Sequence, residues 1–199
     1  MNLGMMKRRA VQKSLPYDAE VEYLESNGTQ YINLPFSFAP NDKILLDAAI
    51  LETSSNKYAI APARWETAHR FAMCGYYNNK FGVAYGTSQT GSTVSNIPSD
   101  TNFHVHEYSN KIFSIDNNVA FDASSLVFNG TETSYLRLFY GFNTNSKCRI
   151  RRFYHEKDND NKIDLVSVRI GNVGYMYDKV SKQLFADESG VGFILGPDK

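Results

Sequence analysis

The chain is short of the residues on which most catalytic and metal chemistry depends. Its 199 residues hold two cysteines and one tryptophan, Cys74, Cys148 and Trp65. Two cysteines make no disulfide framework, and neither sits at a metal-ligand spacing, so both read as reduced, buried thiols. Net charge is missing too: 21 Lys and Arg offset 21 Asp and Glu. No overall field therefore draws the chain to nucleic acid or to a membrane surface. No run approaches the ~18 apolar residues of a membrane span. Residues 1–14 are basic but no apolar segment follows them, so export by a signal peptide is not expected. Helical periodicity is nearly absent, the one candidate being a turn or two at residues 62–69 that Pro62 could open. A Ser-His-Asp elbow, a phosphate-cradling glycine loop and a nucleotide fingerprint are absent as well.

What is abundant is aromatic. Tyr and Phe number thirteen each, and Asn, Ser, Thr and Gly crowd the gaps between them, as in short strands joined by turns. Runs with strand character recur at residues 21–25, 30–34, 43–52, 70–76, 80–85, 103–108, 111–115, 118–121, 135–142, 148–155, 163–169, 173–177 and 191–195. In the longest, Ile44, Leu46, Ala48 and Ile50 form one apolar face at the period of two that a half-buried strand requires. Asn78-Asn79 tolerates the positive φ of a tight hairpin. A dozen short strands without crossover helices predict an all-β domain: two antiparallel sheets in a jelly-roll sandwich.

Residues 1–16 differ. They hold Met1, Met5 and Met6, no strand pattern, and four positive charges by Lys13; the rest of the chain has seventeen basic residues against 21 acidic ones. Such a segment cannot bury enough apolar surface to fold alone. It reads as an arm outside the domain of residues 17–199. Ordering it costs about 1–2 kcal/mol per residue in backbone entropy, which a partner subunit would have to offset. Met5 and Met6 could be buried there, and Lys7, Arg8 and Arg9 paired with the partner's acids. The arm is expected to be an assembly anchor.

Three central passages resemble laminin-G-like, concanavalin A-like domains. Phe103-His104-Val105-His106-Glu107-Tyr108-Ser109, leading into Lys111-Ile112-Phe113-Ser114-Ile115-Asp116-Asn117, is similar to that superfamily's strand pair, with Phe103 where the superfamily has Trp. Leu136-Arg137-Leu138-Phe139-Tyr140-Gly141 and Cys148-Arg149-Ile150-Arg151-Arg152-Phe153-Tyr154 are similar to the strands that follow. The two ends are more specific. Glu22-Tyr23-Leu24-Glu25-Ser26-Asn27-Gly28-Thr29-Gln30-Tyr31-Ile32 resembles the opening of a group of jelly-roll proteins encoded by gut Bacteroidetes and their tailed phages, crAss-like phages among them. Leu165-Val166-Ser167-Val168-Arg169, Gly174-Tyr175-Met176-Tyr177-Asp178-Lys179-Val180-Ser181 and Gly192-Phe193-Ile194-Leu195-Gly196-Pro197 resemble its close. The resemblance spans residues 18–199 and implies a binding or structural module.

Glu20-Val21-Glu22-Tyr23-Leu24-Glu25 is similar to the E-x-D-x-x-E of some concanavalin A-like glucanases, whose retaining pair sits ~5–5.5 Å apart. Glu20 and Glu22 could share a strand face, but Glu25 would fall on the opposite face from Glu22 without a bulge. Acids guarding an edge strand are the plainer explanation, so no catalytic residue is expected. Asp158 and Asp160 could hold calcium weakly, although a polar turn suffices; no other cofactor is expected. His104 and His106 could share a strand face, without a third ligand nearby for zinc. Arg149 and Arg151 should face solvent together. The best candidates for a glycan site are Trp65, Tyr76, Tyr77, Asn78 and Tyr85, amphipathic rings and an amide near turns. The expected function is a non-enzymatic virion component (decoration, fibre or appendage), anchored by its arm and contacting other virion or oligomer subunits, with a cell-surface glycan as the candidate ligand. The alternative is a carbohydrate-binding module or adhesin on a gut bacterium's surface; glycoside hydrolysis is the remote option.

Overall fold

The structure is a computed structural model that describes residues 15–52, 57–64, 70–77, 80–91, 100–141, 143–157 and 161–199. Among these residues there is no helix, and two large antiparallel sheets pack face to face in a jelly-roll sandwich. The larger sheet runs edge to edge through Asn118–Asp122, Ile112–Ile115, His104–Ser109, Lys43–Ile50, Lys147–Lys157, Asn161–Ile170, Val173–Asp178 and Leu184–Phe185. The smaller runs through Ile32–Ser37, Tyr135–Leu138, Lys57–Pro62, Arg70–Tyr77, Lys80–Gly86 and Ser88–Gly91. Pro62 ends a strand and does not open a helical turn; residues 65–69 lie outside the described set.

The alternating pattern places the core as expected. Ile44, Leu46 and Ala48 are fully buried and Ile50 is 9% exposed, all within the main core cluster between the sheets. Rings fill its centre: Phe38 stacks on Phe71 at 3.7 Å and meets Tyr108 edge-on at 5.0 Å. Each such pair adds roughly 0.5–1.5 kcal/mol beyond the area it buries.

The passages at the two ends of the chain are joined. Leu24 pairs with Leu195 and Glu25 with Ile194, and the Glu22 amide donates to the Pro197 carbonyl at 2.7 Å. The turn at Ser26 to Gln30 is tied to the C-terminal loop. The Gln30 side-chain oxygen accepts from the Ser26 hydroxyl and the Asn27 amide, while its NH₂ donates to the Gly192 carbonyl at 2.7 Å. Asp187 holds the Tyr31, Ser189 and Gly192 amides. Asp178 does the same for Asp164, Val180 and Ser181 in the closing hairpin. These polar residues therefore have architectural duties: they satisfy backbone donors where the chain closes. Just ahead of the first strand, Tyr17 lies edge-on to Tyr177 at 5.0 Å on the outer face of the larger sheet, over a small cluster with Val166 and Val168.

Candidate functional site

Trp65, Asn78, Asp158, Asp160 and the arm residues Met5, Met6, Lys7, Arg8 and Arg9 lie outside the described residues, as does the Tyr77 side chain. Tyr76 and Tyr85 are a correction: they are 5% and 0% exposed, inside the main core. Phe81, Val83 and Tyr85 alternate onto the inner face of one strand. In the neighbouring strand Cys74 takes a φ of 57°, and the register shifts between Ala72 and Gly75. Tyr85 is wholly enclosed, and Tyr76 reaches only a small pocket beside His104 and His106.

The acidic string is engaged by cations. Glu25 accepts from Arg149 at 2.6 Å, Glu22 pairs with Arg151, and Glu20 lies 3.5 Å from Lys179. Glu22 and Glu25 thus reach the same outer face, contrary to the expectation from spacing. The chain bends at Glu22 before regaining strand geometry at Leu24, which resets the alternation. Arg149 and Arg151 do share the outer face, but each also covers a ring: Tyr23 at 4.8 Å and Phe103 at 3.6 Å.

His104 and His106 share the inner face at one end of the sandwich. The two His104 ring nitrogens meet Asp116 at 2.6 Å and Asp100 at 2.9 Å. Burial pushes the His104 pKa down, but the bonds and charges of the two carboxylates outweigh it, leaving it above the usual value. His106 is buried against Phe81, its Nδ1 has no partner, and burial drives its pKa down to about 3, so it is neutral. Among the described residues no three His, Cys, Asp or Glu side chains gather as metal ligands.

Among the described residues, a concavity with a ligand-like lining lies at the edge of the smaller sheet. There the strand Ile32–Ser37 pairs with Tyr135–Leu138, Tyr135 opposite Ser37 and Arg137 opposite Asn33. Pro35 sits on the edge strand, where a missing N–H does least harm. Above it is a groove of about 490 Å³ lined by Pro35, Phe36, Ser37, Glu132, Ser134, Tyr135 and Lys157. Tyr135 is 62% exposed, the most open aromatic ring described. Lys157 and Glu132 neutralise each other across the groove at 3.1 Å, which holds the Glu132 carboxyl below its usual value. Ser134 accepts from the Arg64 amide and donates to the Arg64 carbonyl. The groove has a rigid back wall. Phe36 stacks on His155 at 4.3 Å, and the buried His155 Nε2 lies 2.8 Å from Asp42 Oδ2.

An exposed amphipathic ring beside hydroxyls and a neutralised ion pair can cover the apolar face of a sugar while bonding its hydroxyls. Sequence reasoning passed over Tyr135, yet its signal was there: it alternates with the inward Leu136 and Leu138, so it had to point out. Comparisons with protein-family models, curated proteins and solved structures found no match.

Proposed function

We propose that this protein is a non-enzymatic jelly-roll component of a phage particle that carries a glycan-binding groove and is anchored to neighbouring subunits by its N-terminal arm. The observation that carries the binding half is Tyr135, an open ring fixed on a strand and flanked by Ser37, Ser134 and the Lys157–Glu132 pair. The anchoring half rests on the basic, methionine-containing arm and on the resemblance of both ends to jelly-roll proteins of gut bacteria and their phages. The ion pairs that engage Glu20, Glu22 and Glu25 support a structural use of those acids rather than hydrolysis.

A glycan array with the full chain and with Tyr135→Ala tests the groove. Binding should fall about fivefold or more in the variant, as expected for loss of a ring contact worth ~1 kcal/mol or more. Unchanged binding would remove the groove from the proposal. Deleting residues 1–14 tests the anchor: the product should fold and stay monomeric but fail to incorporate into particles. Incorporation at the full-length level would sink the virion reading. Retained glycan binding without any assembly role would favour the bacterial adhesin.

A further inference from the structure

Next to the groove, the same two strands hold a cation with an unusual setting. The Arg137 guanidinium lies over the Tyr31 ring at 4.7 Å and the Tyr140 ring at 4.9 Å. Its Nε donates to the Asn33 side-chain oxygen at 2.7 Å. Among the described residues no carboxylate comes within ion-pair distance of it, whereas Arg149, Arg151, Arg152 and Arg169 each have one.

The setting depends on an irregular backbone. In a regular strand residues 137 and 140 would face opposite ways. Phe139 instead takes a φ of 60°, so Leu138 and Phe139 both enter the core and Tyr140 turns out beside Arg137. A phenylalanine in the left-handed region costs about 1–2 kcal/mol. That cost is offset by the burial of Phe139 against Phe193 at 4.7 Å and by its amide donating to the Ala59 carbonyl at 2.7 Å.

Rings cover the guanidinium and Asn33 saturates Nε, which leaves the Nη1 and Nη2 donors as the free edge. A pre-oriented, permanently charged pair of parallel donors fits a carboxylate in bidentate fashion. Tyr135 lies two residues earlier on the same face, roughly 6.5–7 Å along the strand. We infer that Arg137 is the anion anchor of the groove and that the glycan it takes is acidic: a saccharide with a ring carboxylate, its sugar face on Tyr135 and its carboxylate on Arg137. This rests on the groove's being a glycan site.

The experiment compares uronic-acid oligosaccharides with the same oligomers reduced to the neutral sugar, on the full-length protein, by calorimetry. The wild type should bind the acidic form at least tenfold more tightly. Arg137→Lys should lose at least tenfold on the acidic form and nothing on the neutral one, because a point charge does not replace the fork. Asn33→Ala, which removes only the brace, should lose severalfold on the acidic form and serves if Arg137 variants fail to fold. Equal affinity for both forms, or an unchanged Arg137→Lys, overturns the inference while the groove stands. Tenfold preference for a sulfated oligomer over the carboxylated one overturns the carboxylate assignment. No binding of any glycan brings down both the inference and the groove.

Discussion

At the scale of single residues, His104 has the most to say about conditions. It is clamped between Asp100, ahead of its strand, and Asp116, in the turn of the next hairpin; Asp116 also accepts from the Val105 amide at 2.9 Å. The clamp needs His104 protonated and both carboxylates ionised. His104 has a folded pKa above its usual 6.5, so its contribution is complete below the unfolded value and disappears as pH rises through the folded one. Asp100 and Asp116 are both held below 3.8. Their contribution is present above that value and is lost as pH falls through their lowered pKa values. Stability from this trio should therefore peak between about pH 4 and 6.5. Melting curves of the wild type and His104→Gln should converge as pH is raised from 6 to 8, the wild type losing its advantage. A constant gap across that range would mean the charge on His104 does no stabilising work.

At the scale of elements, the hairpins explain both what alternation revealed and what it hid. Ser109 pairs with Ile112 and Ile115 with Asn118, so Asn110-Lys111 and Asp116-Asn117 are two-residue turns, with φ of 50° and 64° in the first and 48° and 66° in the second. Both central residues at positive φ is the hairpin geometry that matches strand twist, and it suits Asn or Gly far better than Lys. Lys111→Gly should relieve that strain, partly offset by the greater freedom of unfolded glycine, for a net gain of about 0.5–1 kcal/mol. Calorimetry should show Tm rising by about 1–4 °C; a fall would mean the Lys111 side chain contributes more than the strain costs. The inward set Ile44, Leu46, Ala48 and Ile50 was legible because that strand keeps its period throughout. Phase resets were not. Cys74 and Phe139 sit at positive φ without being Gly, Asn or Asp, and the shift between Ile150 and Arg152 turns two successive arginines outward. Tyr140 reached the face of Arg137 only through such a reset, whereas the burial of Tyr85 was already implied by its alternation with Phe81 and Val83.

At the scale of the whole molecule, the sandwich is a ring closed by its own last residues. Among the described residues, the backbone bonds of this closure run from Asp18, whose amide donates to the Arg169 carbonyl at 2.9 Å, to Lys199, whose amide donates to the Glu20 carbonyl at 3.0 Å. Between them Arg169 holds Asp198 through two contacts of 2.6 and 2.5 Å, and Val21 bridges to Asp198. Leu195 also packs against the core, over Gly174, where an added Cβ would lie 2.8 Å from it. The two end segments are halves of one joint, and neither half satisfies its backbone alone. Residues 194–199 should then matter far more to stability than their exposed, short strand suggests. Their removal deletes several net hydrogen bonds at about 1 kcal/mol each and uncovers Leu24, for an expected loss of about 3–5 kcal/mol. Urea unfolding checks this directly, with the arm deletion as the contrast. Removing residues 1–14 should leave the midpoint within error if the arm stands outside the domain, as its lack of strand pattern predicts. Removing residues 194–199 should lower it by more than 1 M, given slopes of roughly 1–3 kcal/mol per molar for small proteins. If both deletions shift the midpoint alike, the arm belongs to the same cooperative unit as the sandwich, and its role as a free anchor fails with it.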